Sequence, residues 1–296
     1  MESSIRLDIR TNMKIIDAFT FLNEVDLVKA RLEYLNDIVT DFIIVESNQT
    51  WRHQRNTPFF HQVLETLPDE IKNKIHYVVA EWPDNWLEDA DGVQEKWVEN
   101  GTRELALIEM QKWASPNDWV IMNDLDEFWD PEKWDYAVEQ YHTHGQVVWV
   151  HENRTCFVDW ITPGIPRWPG SKMAKFKDIT TMAEFYCSKN KALRGQNEGL
   201  KTFFHPVEGG WHFTKMGDAN TKAKSMGSIR EWRTWEPKIG KTPIEAAAEI
   251  MSGKGWNTVA KKGKMRAVVD GGKGLTPKIL KILEKTKIFW SNGIQP

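Results

Sequence analysis

The chain has 296 residues, 41% hydrophobic and 27% charged, with a net charge of −3; this is enough apolar mass for one sizeable core and excludes a disordered chain. Its two cysteines, Cys156 and Cys187, exclude a disulfide framework and a cysteine-built zinc site, and suit a reducing compartment. The N-terminal stretch lacks the order of a signal peptide and no run reaches the roughly 18 apolar residues of a membrane span, so a cytoplasmic protein without membrane contact is expected.

Residues 14–21, KIIDAFTF, read as a buried strand, and residues 22–37 follow with Leu22, Val25, Val28, Leu32 and Leu35 at helical spacing. Residues 41–47, DFIIVES, form a second strand, so the opening is a β-α-β unit with parallel strands. A helix broken by Pro68 then leads to a third strand at 75–80, and residues 81–95, rich in acids and Trp, read as an ordered loop over a site. A helix from Glu95 to Trp113 is expected to turn Leu105, Ile108 and Trp113 inward, ahead of a fourth strand at 118–124. Residues 131–142 read as a helix and 146–152 as a strand; from 153 to 210 the pattern is irregular, with Pro163, Pro166 and Pro169 marking loops and short strands. TPIEAAAEIMSG reads as a helix stopped by Gly253, and the Lys-rich PKILKILEKTKIFW follows. The expected class is α/β.

Charge is unevenly spread: residues 1–210 carry 22 Lys and Arg against 35 acids, and residues 211–296 carry 17 against seven. The basic segment fits either a solvated helical surface or a polyanionic partner such as nucleic acid. Sixteen tryptophans serve mainly packing, and some are available to stack on sugar rings or bases.

The densest chemistry lies in VIMNDLDEFWDP, residues 120–131, where a buried strand ends in Asp124, Asp126 and Glu127. Ligands in open α/β sheets sit beyond the carboxyl ends of strands, and clustered carboxylates there favour a hard cation, Mn²⁺ or Mg²⁺. Asp130 instead reads as the cap of the following helix. A second cluster, EGGWHFTKMGDANTKAKS (208–225), offers Gly209 and Gly210 for tight backbone approach, His212 as a ligand, and Lys215, Lys222 and Lys224 as phosphate partners. No P-loop, nucleophile elbow or H-E-x-x-H is present, and HTHG at 142–145 reads as a surface turn. Paired acids of a glycosidase remain open on spacing alone.

IIDAFTFLNEVDLVKARLEYLNDIVTDFIIVESNQTW, then DWVIMNDLDEFWDP, then GGWHFTKMG with Lys222 ten residues after His212, resemble glycosyltransferase family 17, whose best-known members are bisecting N-acetylglucosaminyltransferases. WPGSK (168–172) and LRG (193–195) resemble further landmarks of that family. The resemblance implies a GT-A type, Rossmann-like mixed sheet flanked by helices, a UDP-sugar donor, and transfer with inversion. By position it implies Asp126 and His212 as ligands of Mn²⁺ or Mg²⁺, with Asp124 on the metal or the donor ribose. Lys222 and Arg103 would stabilise the diphosphate leaving group, and Phe19 and Glu46 would hold the nucleoside. A general base is needed on the opposite face. Asp159, Glu184, Glu198 and Glu231 are the candidates, Glu231 being preferred, although Ser228 and Arg230 stand where the family often has a His.

The expected organisation is a glycosyltransferase domain over 13–232 and a basic, mainly helical extension over 233–296 packed on it. The acceptor is open between a glycan and a hydroxylated DNA base of the kind some phage enzymes modify in the host cytoplasm. In the latter case the basic segment would contact DNA, and Trp232, Trp235 or Trp256 would hold an extruded base. A non-catalytic carbohydrate- or nucleic-acid-binding protein on the same scaffold, and a metal-dependent hydrolase, are the alternatives.

Overall fold

The computed structural model describes residues 13–50, 55–83, 95–161, 168–182, 185, 204–214, 216, 268–286 and 291. Strand β1 (Ile15–Phe21), helix α1 (Val25–Leu35) and strand β2 (Asp41–Ser47) form the expected opening, and β1 pairs parallel with β2. Helix α2 (Phe60–Leu64) stops before Pro68, which caps the short α3 (Asp69–Lys72) ahead of β3 (Ile75–Ala80). Helix α4 (Glu95–Met110) and β4 (Trp119–Asp124) complete the parallel half, with β4 on the other flank of β1.

The second half is antiparallel at its junction with the first. Helix α5 (Trp134–His144) leads to β6 (Val147–Thr155), β7 (Trp160–Ile161) and β8 (Trp168–Lys175), and β8 lies between β4 and β6, antiparallel to both. With β10 (Val268–Val269) at one edge and β3 at the other, the order is β10-β7-β6-β8-β4-β1-β2-β3. The two-residue β5 (Glu127–Phe128) pairs with β9 (His205–Thr214), which runs parallel to β6, so the described residues contribute ten strands to one mixed sheet. The mixed α/β sheet flanked by helices is therefore as expected.

Strands covered on both faces need near-continuous apolar runs, and β2 and β4 have them. Phe42 and Ile44 of β2, with Trp119 and Ile121 of β4, join the core under α1 and α5, while Ile43, Val45, Val120 and Met122 pack on the opposite core under α4. The phase of α4 agrees with expectation in part: Leu105, and Trp113 just beyond the helix, pack partly buried against that core, whereas Ile108 does not. Its buried face is Val98, Thr102, Arg103, Ala106, Leu107 and Met110, and Ile108 is 47% exposed. Two polar residues on that face made the apolar spacing misleading.

Of residues 153–210, those described include the short strands expected there, β7 and β8. The ligand cluster read from sequence over 208–225 begins inside a ten-residue strand, β9, whose pattern is disguised by a register shift opposite Val150/Glu152 and by Gly210 at φ 96°. A Cβ on Gly210 would stand 2.2 Å from the Phe128 carbonyl oxygen, so only glycine lets β9 approach β5 this closely.

Near the C-terminus, α6 (Pro277–Leu283) packs on α1 and is capped by Thr276. Arg154, buried in β6, binds Asp270 through both Nη atoms at 3.1 and 3.0 Å and also donates to the Lys273 carbonyl. Lys278 and Lys285 pair with Asp37 and Glu33 of the α1 region, so part of the C-terminal basicity meets the chain's own acidic N-terminal half. Residues 217–267, which contain the expected boundary at 232 and the helix ending at Gly253, lie outside the described residues. No helix among the described residues is long and apolar enough to cross a membrane.

Candidate functional site

Strand β4 ends at Asp124, beside the carboxyl ends of β1 and β2, and the chain turns through Leu125 and Asp126 into β5. Leu125 is buried, and Asp124 and Asp126 are partly exposed on either side of it. Pairing of β5 with β9 sets Glu127 opposite His212, and the Phe213 amide donates to the Asp126 carbonyl at 2.8 Å. His212 Nε2 consequently lies 3.5 Å from Asp126 Oδ2, with the two side chains 12% and 25% exposed.

The other imidazole nitrogen, Nδ1, is 3.0 Å from Asn153 Oδ1. With the amide oxygen assigned to face the ring, Nδ1 carries the proton and the Nε2 lone pair faces the Asp126 carboxylate. Two acceptors held face to face repel unless a proton on Nε2 or a metal cation stands between them. Donors each about 2.1 Å from one ion stand roughly 3 to 3.5 Å apart, so the separation and chemistry of this pair fit a divalent metal. Among the described residues no group of three or more His, Cys, Asp or Glu that could hold a metal ion is present.

Asp124 is held from below. Its Oδ1 accepts from Arg103 Nη2 at 2.7 Å, and Arg103 Nη1 donates to Glu99 at 2.5 Å. The Arg103 side chain is fully buried, so its charge reaches the site through Asp124. Glu127, also fully buried, accepts from the Asp124 amide at 3.0 Å and from Trp168 Nε1 at 2.6 Å. Trp168 in turn stacks on His212, with ring centroids 4.7 Å apart and planes at 23°. Glu127 and Trp168 thus link the backbone at Asp124 to the histidine on β9.

Of the remaining expected residues, Phe19, Glu46 and Asp159 are among those described. Phe19 is buried, with the Arg31 guanidinium 4.9 Å from its ring centroid. Glu46 ends β2 but is fully buried, accepting from the Phe59 and Phe60 amides and from Tyr77 Oη at 2.7 Å. Burial raises its pKa against the lowering effect of those bonds. Asp159 lies near the β7 edge, where its carboxylate accepts from the amide and hydroxyl of Ser291. Lys215, Lys222, Lys224, Glu184, Glu198, Glu231, Trp232, Trp235 and Trp256 lie outside the described residues. Asp130 caps the turn at Pro131–Lys133 by accepting from the Glu132 amide. Sequence reasoning assigned no role to Asn153, Glu99 or Trp168; only Trp168, within WPGSK, carried a signal.

The sequence model of glycosyltransferase family 17 matches residues 6–138, which hold β1–β4, the acidic turn and the start of α5 and end before Asn153 and His212. No curated protein sequence matches the chain. Similar solved structures include a 4-diphosphocytidyl-2C-methyl-D-erythritol synthase, at 10% identity over 67% of this chain and 90% of that one, with a TM-score of 0.36. Another is S. aureus TarS 1–349, at 13% identity over 79% of this chain and 68% of that one, with a TM-score of 0.39. The glycosyltransferase GlyE of Streptococcus pneumoniae TIGR4 is similar at 10% identity over 67% of this chain and 46% of that one, with a TM-score of 0.33. Over residues 6–138, a little under half of its length, the chain is similar to glycosyltransferase family 17.

Proposed function

We propose that the enzyme moves a sugar, GlcNAc or a hexose, from a UDP-sugar to an acceptor hydroxyl with inversion, and that it requires Mn²⁺ or Mg²⁺. The observation that carries the metal requirement is the Asp126–His212 pair at 3.5 Å, oriented by Asn153 and standing at the end of a parallel strand. A divalent ion held there supplies positive charge to the diphosphate of the leaving group. Asp126 and His212 hold that ion, and Asp124, fixed by Arg103, is positioned for the ribose or the outer shell. Trp168 limits rotation of the His212 ring and shields one of its faces. Lys222 remains the proposed partner of the diphosphate, and Glu231 the proposed general base.

The acceptor is a hydroxyl on a glycan or on a hydroxymethylated DNA base, and the basic C-terminal segment is the proposed DNA contact in the second case. Supplying UDP-sugars with Mn²⁺ and measuring UDP release, with glycans and hydroxymethylated duplex DNA in parallel, tests the proposal. Release stimulated by one acceptor class supports it and chooses the target. Formation of free sugar without transfer to either would indicate a hydrolase, and binding without release a carbohydrate- or nucleic-acid-binding protein.

A further inference from the structure

Three consecutive carbonyls of the acidic turn are anchored. The Leu125 oxygen accepts from Arg31 Nη1 at 3.4 Å, the Asp126 oxygen from the Phe213 amide at 2.8 Å, and the Glu127 oxygen from Arg31 Nη1 at 2.6 Å and Ser171 Oγ at 3.3 Å. Two of the three rest on one side chain of α1, far from the turn in sequence. Arg31 is fully buried, and so is its counter-ion Asp17 on β1.

The pair is built as a unit. Arg31 Nε and Nη2 each meet a different Asp17 oxygen at 2.8 Å, and Asp17 Oδ1 also accepts from Asn123 Nδ2 at 2.7 Å and Trp129 Nε1 at 3.0 Å. The guanidinium lies 4.9 and 5.4 Å from the ring centroids of Phe19 and Phe128. Asn123 and Trp129 flank the turn on both sides, so Asp17 grips its two ends while Arg31 grips its middle. A fully buried ion pair is weak evidence for stability, because desolvation of both charges opposes their attraction. Its geometry says more: only a planar fork joins a carboxylate on one edge to two carbonyls on the other, which an ammonium cannot reproduce.

We infer that Arg31, locked by Asp17, is a positioning residue that presents Asp126 and Asp124 to the metal by fixing the backbone of the turn that carries them. The inference rests on the metal-dependent reading of the site above. By drawing the Leu125 and Glu127 carbonyls inward, Arg31 leaves the intervening Asp126 side chain facing His212. An orienting contact of this kind affects metal affinity more than nucleotide affinity at saturating metal.

The test uses the full chain with Arg31→Lys, which keeps the cation but loses the fork, and the neutral pair Arg31→Gln/Asp17→Asn, which leaves no orphan buried charge. Leu283→Ala, at a fully buried position of α6, controls for lost stability. Titration of Mn²⁺ at fixed UDP should show the half-saturating metal concentration rising by about tenfold or more in both Arg31 variants. The control should stay within about twofold for a similar fall in melting temperature. Hydrogen exchange across residues 122–130 is read alongside, and protection there should fall in the Arg31 variants and not in the control. Unchanged metal titration and unchanged exchange in both Arg31 variants would overturn the inference. If UDP binding of the wild type proves independent of metal, the functional reading fails and the metal-presenting role falls with it, while the exchange data still decide whether Arg31 anchors the turn.

Discussion

Glu127→Gln isolates the part of the site that is least obvious from composition. The carboxylate divides its two oxygens between the Asp124 amide at 3.0 Å and the Trp168 indole N–H at 2.6 Å, and it is fully buried. A glutamine has the same shape but one acceptor oxygen, so its amide N–H₂ must face one of those donors. A buried donor left without an acceptor costs about 1–3 kcal/mol, and the surviving bond loses its charge assistance at about 1 kcal/mol more. The expected destabilisation is therefore about 2–4 kcal/mol, or a fall of roughly 5–10 °C in melting temperature for a chain of this size. Relief of repulsion with Asp124 and Asp126 acts in the opposite direction and is screened by salt, so the melts belong at high ionic strength. UDP binding should weaken in parallel, because Asp124 and the Trp168 platform under His212 both shift. A variant that melts within a degree of wild type and binds UDP normally would refute the reasoning.

Gly210→Ala should be far more damaging than Gly145→Ala, although both glycines have positive φ. A Cβ at 210 meets the Phe128 oxygen at 2.2 Å and Trp129 Cα at 2.9 Å, and one at 145 meets nothing within 4 Å. Losses above about 3 kcal/mol and of about 1–2 kcal/mol respectively are expected in urea titrations. Because the pKa of Glu46 is raised by burial, the folded state holds its proton more tightly than the unfolded chain, so this group's contribution is full below the ordinary carboxylate range and is lost as pH rises through its folded pKa. Unfolding titrations from pH 4 towards neutrality should show wild type losing stability relative to Glu46→Gln, and a constant difference would contradict the burial argument. Asp270→Ala removes the bidentate partner of buried Arg154 but leaves Glu152 at 2.6 Å. A loss of about 2 kcal/mol in the urea midpoint is expected, well short of a fully orphaned charge.

The parallel half of the fold was legible because its periodicities are unmixed. Residues 41–47 and 75–80 read as the strands they form, and Pro68 divides the helices where proline chemistry demands. The reading failed where the site shapes the scaffold. Helix α4 turns Thr102 and Arg103 inward, so its apolar spacing pointed to Ile108, and the Gly209–Gly210 bulge hid a full strand.

The site shows the same division. Asp124, Asp126 and His212 announced themselves by clustering or by glycine-rich surroundings, and the fold brings Asp126 and His212 together. Their supports, Asn153, Trp168 and the Asp17–Arg31 pair, meet the site only through tertiary contacts between elements distant in sequence. Hydropathy patterns carry no trace of such pairings, because a buried arginine or tryptophan has the same local signature whether it supports a site or only fills space.

The most direct measurement is calorimetric titration of UDP into the protein with and without Mn²⁺, for wild type, Asp126→Asn and His212→Gln. The account predicts metal-dependent binding in wild type and a loss of about tenfold or more in either variant, with melting temperatures near that of wild type. Equal UDP affinity in all three proteins, with or without metal, would contradict it.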